Sequence, residues 1–101
     1  MRIISERKIR EYTVENSESE NAMREWIRVV RLADWHNFTD LRNTFNHADV
    51  FNNCVIFDVG GNKWRIIAKV EYQKHLVFIK RILTHNEYSF KNGKLWKSDC
   101  E

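Results

Sequence analysis

Between Cys54 and Thr84 the chain falls into three runs, 54–59, 63–72 and 75–84, in which Val, Ile, Phe, Trp and Tyr alternate with polar residues, and each run predicts a β-strand. Gly60-Gly61 supplies the positive φ that a tight hairpin turn needs, which pairs Val59 with Asn62 and Phe57 with Trp64. Gln73-Lys74 makes the second turn and pairs Tyr72 with His75 and Val70 with Val77. Opposed residues share a face and successive ones alternate, so these registers divide the sheet. One face collects Val55, Phe57, Val59, Trp64, Ile66, Ala68, Val70, Tyr72, Val77, Ile79 and Leu83, with Arg81 its only formal charge, and is the core side. The other collects Cys54, Ile56, Asp58, Lys63, Arg65, Ile67, Lys69, Glu71, Phe78, Lys80 and Ile82. A core does not tolerate that mixture of cations and apolar groups, so this face must meet water or a partner.

The first half supplies the layer over the apolar face. Residues 2–5 read as a short strand, with Ser5 as N-cap of a helix running to about Asn16. Met23, Trp26, Ile27 and Val30 recur at helical spacing, with Ser17-Glu18-Ser19-Glu20 as the polar turn before them. Phe38, Leu41 and Phe45 mark a shorter helix capped by Asn37 or Thr39. The expected architecture is α+β: an N-terminal strand, then two to three helices packed on one face of an antiparallel sheet. There is no repeat, no low-complexity tract and no proline, and 101 residues suffice for one core, so residues 1–101 are expected to form a single domain.

Composition adds little until the charges are placed. Seventeen Lys and Arg against 14 Asp and Glu give a net charge of +3, common among ordinary proteins. More telling is that Lys63, Arg65, Lys69 and Lys80 collect on the non-core face against only Asp58 and Glu71, of which Asp58 would pair with Lys63 across the strands. No run approaches the length of a membrane span, the N-terminus lacks a signal-peptide pattern, and Cys54 and Cys100 make no metal spacing and no disulfide framework. These features lead us to expect a cytoplasmic protein in a reducing compartment.

No Gly-rich phosphate loop and no His/Cys cluster with zinc spacing is present, so neither a metal nor a cofactor is expected. Of the four histidines, His36 and His47 lie in polar connections and His75 beside a turn. His85 follows the last strand directly, with Tyr88 one helical turn further on, and a histidine there suits general acid-base work. Strict alternation puts His85 on the core side, so it reaches the cationic face only if the strand ends or twists at Thr84.

Gly60-Gly61-Asn62-Lys63-Trp64-Arg65-Ile66-Ile67, Val77-Phe78-Ile79-Lys80 and Leu83-Thr84-His85-Asn86-Glu87-Tyr88 together resemble the HigB-type toxins of bacterial toxin-antitoxin modules. The resemblance extends to Met1-Arg2-Ile3-Ile4-Ser5, Ala33-Asp34-Trp35 with Asp40-Leu41-Arg42, and Asn53-Cys54-Val55-Ile56-Phe57, covering essentially the whole chain. It implies a RelE-like fold and an mRNA interferase acting on the ribosome without a metal, in which the RNA 2′-hydroxyl attacks the adjacent phosphate. It also implies a cognate antitoxin, usually a helix-turn-helix protein of the HigA type.

On this resemblance Arg65 matches the strand arginine placed against the scissile phosphate, and His85 the strand-end histidine serving as general acid or base. Tyr88 lies near the tyrosine that stacks on a base or takes part in proton transfer, and Lys63, Lys69 and Lys80 would bind RNA phosphates. The family commonly continues Glu-Tyr with Asp, whereas Ser89 stands here. Asp58 is the one carboxylate on the Arg65 face that could be a base, with a plain ion pair as the simpler role. Lys94, Trp96 and Lys97 either touch RNA or finish the fold, while Trp26 and Trp64 read as core. A non-catalytic toxin or binding module on the same scaffold, like the gyrase-poisoning relatives, is the alternative.

Overall fold

The computed structural model describes all 101 residues. In chain order they form β1 (Arg2–Ile4), α1 (Arg7–Glu15), α2 (Glu20–Leu32), α3 (Phe38–Thr44), β2 (Asp49–Phe51), β3 (Cys54–Val59), β4 (Trp64–Glu71), β5 (Leu76–Thr84) and a short α4 (His85–Ser89), followed by 3-10 turns to the C-terminus. The sheet order is β1-β5-β4-β3-β2. β1 runs parallel to β5 and every other pair is antiparallel, so the sheet is mixed rather than wholly antiparallel. No helix is long and apolar enough to cross a membrane.

The helical stripes build the main core. Met23, Trp26 and Val30 of α2 and Leu41 of α3 are buried against Phe57, Ile66, Ala68, Val77 and Ile79 of the sheet. Trp26 and Phe45 meet the Phe57 ring edge-on at 5.1 and 5.3 Å, and Trp35 stacks on it at 6.2 Å. Asn37, not Thr39, caps α3, its side chain accepting from the Asp40 amide at 2.9 Å. Ser5 does not cap α1 with its side chain; it takes a positive φ of 67°, and its carbonyl accepts from Lys8 N instead. β2 has no counterpart in the sequence expectation because its three residues, Asp-Val-Phe, are too few to show a period.

Two departures from simple alternation decide what faces the site. The β3–β4 connection is four residues rather than two, so Val59 pairs with Trp64 and Asp58 with Arg65. A shift of two leaves each residue on its expected face but replaces Lys63 by Arg65 as the partner of Asp58. The second departure is a β-bulge. The expected register Val70↔Val77 holds as far as Ala68↔Ile79, then Lys80 is passed over and Ile67 pairs with Arg81. One extra residue reverses the remainder of β5. Ile82 turns to the main core, while Arg81 and Leu83 move to the opposite face, contrary to the expected assignment.

That opposite face is not wholly exposed. Cys54, Ile56, Ile67 and Leu83 form a second buried cluster with Trp96 and Cys100, so the C-terminal segment covers half of it. Cys54 and Cys100, 46 positions apart, form a disulfide with Cα atoms 5.4 Å apart, which corrects the expectation of two unpaired cysteines and removes their support for a reducing compartment. The sequence reading missed it because Cys100 lies beyond the last strand, and only the folded tail brings it over Cys54. Arg81 reinforces the tail by donating to Asp99 at 2.6 Å.

Candidate active site

The site begins in the β3–β4 turn. Gly60, Gly61 and Asn62 all have positive φ, at 67°, 61° and 78°. A Cβ on Gly60 would lie 2.5 Å from the Trp64 ring, so conformation and space both demand glycine there. Asp58 Oδ1 accepts from the Asn62 amide at 2.8 Å and closes the turn.

Arg65 then extends along the turn rather than into solvent, and is only 9 % exposed. Its Nη1 donates to the carbonyls of Asn62 and Trp64, each at 3.2 Å, and meets Asp58 Oδ1 at 3.5 Å. Its Nη2 donates to the Asn62 side-chain oxygen and lies 3.3 Å from His85 Nδ1. An arginine can only donate, so His85 Nδ1 is the acceptor in this contact and the neutral ring carries its proton on Nε2.

His85 is brought there by the end of β5. Thr84 and Glu87 form a capping box, Thr84 Oγ1 accepting from Glu87 N at 3.2 Å and Glu87 Oε1 from Thr84 N at 2.8 Å. The cap stops the strand at Thr84 and starts α4 with His85, whose amide donates to the Lys63 carbonyl at 2.9 Å. Together with the bulge, this helix start turns the exposed imidazole to the Arg65 side. Tyr88, one turn along α4, lies beneath the guanidinium with Arg65 Cζ 5.0 Å from its ring centroid. Trp96 stacks on Tyr88 at 5.1 Å and 14°, and its indole donates to the Tyr88 carbonyl at 3.0 Å. Burial raises the Tyr88 pKa above its ordinary value; Arg65 opposes that rise and Asp49 adds to it.

A fixed cation, a histidine and a protonated phenol converging at a surface can hold a phosphate and move protons around it. In comparison with known proteins, residues 19–90 match the family described as HigB toxin, the RelE-like toxic component of a toxin-antitoxin system. The chain belongs to the HigB toxin family. It is 31% identical over 91 residues to the mRNA interferase HigB of Escherichia coli O6:H1 strain CFT073, covering 87% of this chain and 88% of that one. It is also 40% identical over 35 residues to the mRNA interferase toxin HigB of Escherichia coli K12, about a third of each chain. Membership in this family implies a cognate antitoxin.

Of the six site residues expected in this HigB-family toxin, the structure brings Arg65, His85 and Tyr88 together. Lys63 adjoins them through its carbonyl, and its side chain is exposed. Lys69 lies four residues along β4 from Arg65 and is paired with Glu71 at 3.3 Å. Lys80 is the extra residue of the bulge, exposed and away from the pair, so the three lysines do not form one cluster. Asp58 faces Arg65 and the turn amide rather than Lys63. Trp96 finishes the fold, being buried. Asn62 was missed as a site residue, although an asparagine after Gly-Gly is a recognisable signal for a left-handed turn position with a free side-chain acceptor.

Proposed function

We propose that this toxin is an mRNA interferase, a ribosome-dependent endoribonuclease acting on translated messages in the cytoplasm and restrained by a helix-turn-helix antitoxin. In the reaction the RNA 2′-hydroxyl loses its proton and attacks the adjacent phosphorus. The bond to the 5′-oxygen breaks, that oxygen takes up a proton, and a 2′,3′-cyclic phosphate is left.

The observation that carries this reading is the Arg65 guanidinium, anchored by the turn on one side and 3.3 Å from an exposed histidine on the other. Arg65 neutralises charge on the pentacoordinate phosphorane, and removing a single preorganised donor of that kind costs roughly a hundredfold or more in rate. His85 transfers one of the two protons. The Tyr88 phenol, held in its protonated form by burial, is a hydroxyl donor beside the same phosphate. The exposed Lys63 ammonium, next to the pair, meets the RNA backbone; Lys69 and Lys80, further off, are left for longer-range phosphate contacts.

Expression in growing bacteria without the antitoxin tests this reading. Wild type should arrest growth and create new mRNA 5′ ends on primer extension, while Arg65→Ala and His85→Ala should do neither. Growth arrest with intact mRNA would replace it with a toxin that acts by occupying its target. Purified protein that cut naked RNA as fast as translated message would remove the ribosome from the account.

A further inference from the structure

Residues 91–101 lie beyond the part of the chain that matches the family, yet they cover Cys54, Ile56, Ile67 and Leu83 beside the Arg65–His85 pair. The segment leaves α4 through a sharp reversal in which Lys91, Asn92 and Gly93 all have positive φ, at 45°, 57° and 91°. Lys91 and Asn92 carry side chains in the left-handed region, a conformation that persists only where surrounding contacts hold it. Those contacts are not made by the backbone. Every main-chain hydrogen bond of the segment is local, and none reaches the sheet, so side chains alone fasten it.

Trp96 is the first fastener, buried in the second cluster, stacked on Tyr88 and donating its indole N–H to the Tyr88 carbonyl at 3.0 Å. Arg81 and Asp99 are the second, an ion pair near the surface, where such pairs contribute modestly. The third is covalent. The Cys54–Cys100 bond ties the end of the segment to the first residue of β3, and both cysteines are fully buried. Cys100 lies four residues beyond Trp96, so the closed bond confines the indole to the place where it meets Tyr88. The Tyr88 ring carries that constraint to the site, since it stacks on Trp96 and lies 5.0 Å from Arg65 Cζ.

We infer that residues 91–101 are a redox-controlled latch: closed by the Cys54–Cys100 bond, it holds Trp96 where it positions Tyr88 against Arg65, and reduction of the bond releases it and slows cleavage. The inference rests on the nuclease reading above and adds a control to it. A dithiol supplies the two electrons. One of its thiolates attacks a cysteine sulfur, the S–S bond breaks, and the departing cysteine thiolate takes up a proton. The second thiol of the reductant then loses its proton and displaces the other cysteine, leaving two cysteine thiols and a cyclic disulfide. Both sulfurs are buried, so the bond is reduced only as fast as the segment lifts. A low-molecular-weight disulfide runs the same exchange backwards, so oxidation arms the toxin and reduction relaxes it. Misplacing a reacting group by about 1 Å costs on the order of a hundredfold in rate, and opening the latch should slow cleavage at saturation about 10- to 100-fold.

Two measurements test it. In the first, single-turnover cleavage of translated message compares oxidised wild type, wild type reduced with dithiothreitol, Cys54→Ser/Cys100→Ser, Trp96→Ala and Trp96→Phe, with free thiols counted to confirm each state. Reduced wild type and the double serine variant should both be slowed by that factor, the serine variant equally with and without reductant. Trp96→Ala should be as slow, while Trp96→Phe, which keeps a stacking ring, should recover most of the rate. On a Tyr88→Phe background reduction should add little further loss, because the phenol that the latch positions is gone. In the second, amide NMR follows reduction in the absence of RNA. Tyr88, Trp96 and Lys97 should shift, while Phe57 and Val77 of the main core stay in place. Reduced wild type at the oxidised rate, a full additional loss on the Tyr88→Phe background, or core amides that move with the segment overturns the inference. Reduction that releases only the segment and Tyr88, in a protein that cleaves nothing in either state, would preserve the latch and overturn the nuclease reading instead.

Discussion

Replacing Asn62 tests how far the Arg65 guanidinium depends on its turn. Asn62 contributes two acceptors, its carbonyl to Nη1 at 3.2 Å and its side-chain oxygen to Nη2. Asn62→Gly keeps the first and deletes the second, leaving Nη2 only His85 as protein partner. The lost hydrogen bond to a charged group corresponds to about 1.5–3 kcal/mol. At a φ of 78°, glycine also relieves the left-handed penalty that a Cβ carries, roughly 1–2 kcal/mol at most, so the fold should survive. Geometry should suffer more than stability, because a misplacement of about 1 Å at a reacting group can cost on the order of a hundredfold in rate. We expect Asn62→Gly to cut translated message about 10- to 100-fold more slowly at saturation, with an unchanged KM and a melting temperature close to wild type. Asn62→Asp keeps both an acceptor and tolerance of the left-handed region, and should recover most of the rate. Quantified primer extension under single-turnover conditions reads the difference. A glycine variant at the wild-type rate, or an aspartate variant as slow as glycine, would refute the anchoring role.

The disulfide closes a long segment, its cysteines lying 46 positions apart, and chain-entropy bookkeeping gives it about 4 kcal/mol. Thermal melts with and without reductant, and of Cys100→Ser, should show a correspondingly large loss; identical curves would mean the bond does not form in solution. Tyr12, Tyr72 and Tyr88 all have pKa values raised above the ordinary one, with burial the leading cause. The folded chain therefore holds these protons longer than the unfolded chain does. The stabilisation is complete below about pH 10 and lost as pH climbs through the folded-state values. Denaturant melts from neutral to alkaline pH should show stability falling above about pH 10, and Tyr→Phe at the three positions should flatten the decline.

Much of this fold is readable from side-chain periodicity. The stripe Met23, Trp26, Val30 fixes the inner face of α2, and alternation through 55–59 and 64–70 assigns the sheet faces correctly despite a turn two residues longer than expected. The bulge at Lys80 was not readable, since one residue left unpaired changes neither composition nor hydrophobic count, yet it reverses Arg81, Ile82 and Leu83. His85 illustrates the consequence. Alternation puts it in the core, and the bulge and capping box together carry it to Arg65. The cationic face was only half right: Lys63 and Lys69 stand on it with Arg65, but Lys80 is the unpaired residue of the bulge, and Ile56 and Ile67 lie beneath a tail whose Trp96 and Cys100 show no period. Asn62 holds Arg65 from a left-handed turn position, where hydrophobic pattern carries little information.

The proposed catalytic unit, Arg65 with His85, is tested most directly by single-turnover cleavage of message on programmed ribosomes by wild type, Arg65→Ala, His85→Ala and the double variant. Each single change should slow cleavage by roughly a hundredfold or more. The double variant should be little worse than either, because groups that act as a unit are not additive, and the remaining product should end in a 2′,3′-cyclic phosphate. Wild-type rates in either single variant, or fully multiplicative losses in the double, would contradict it.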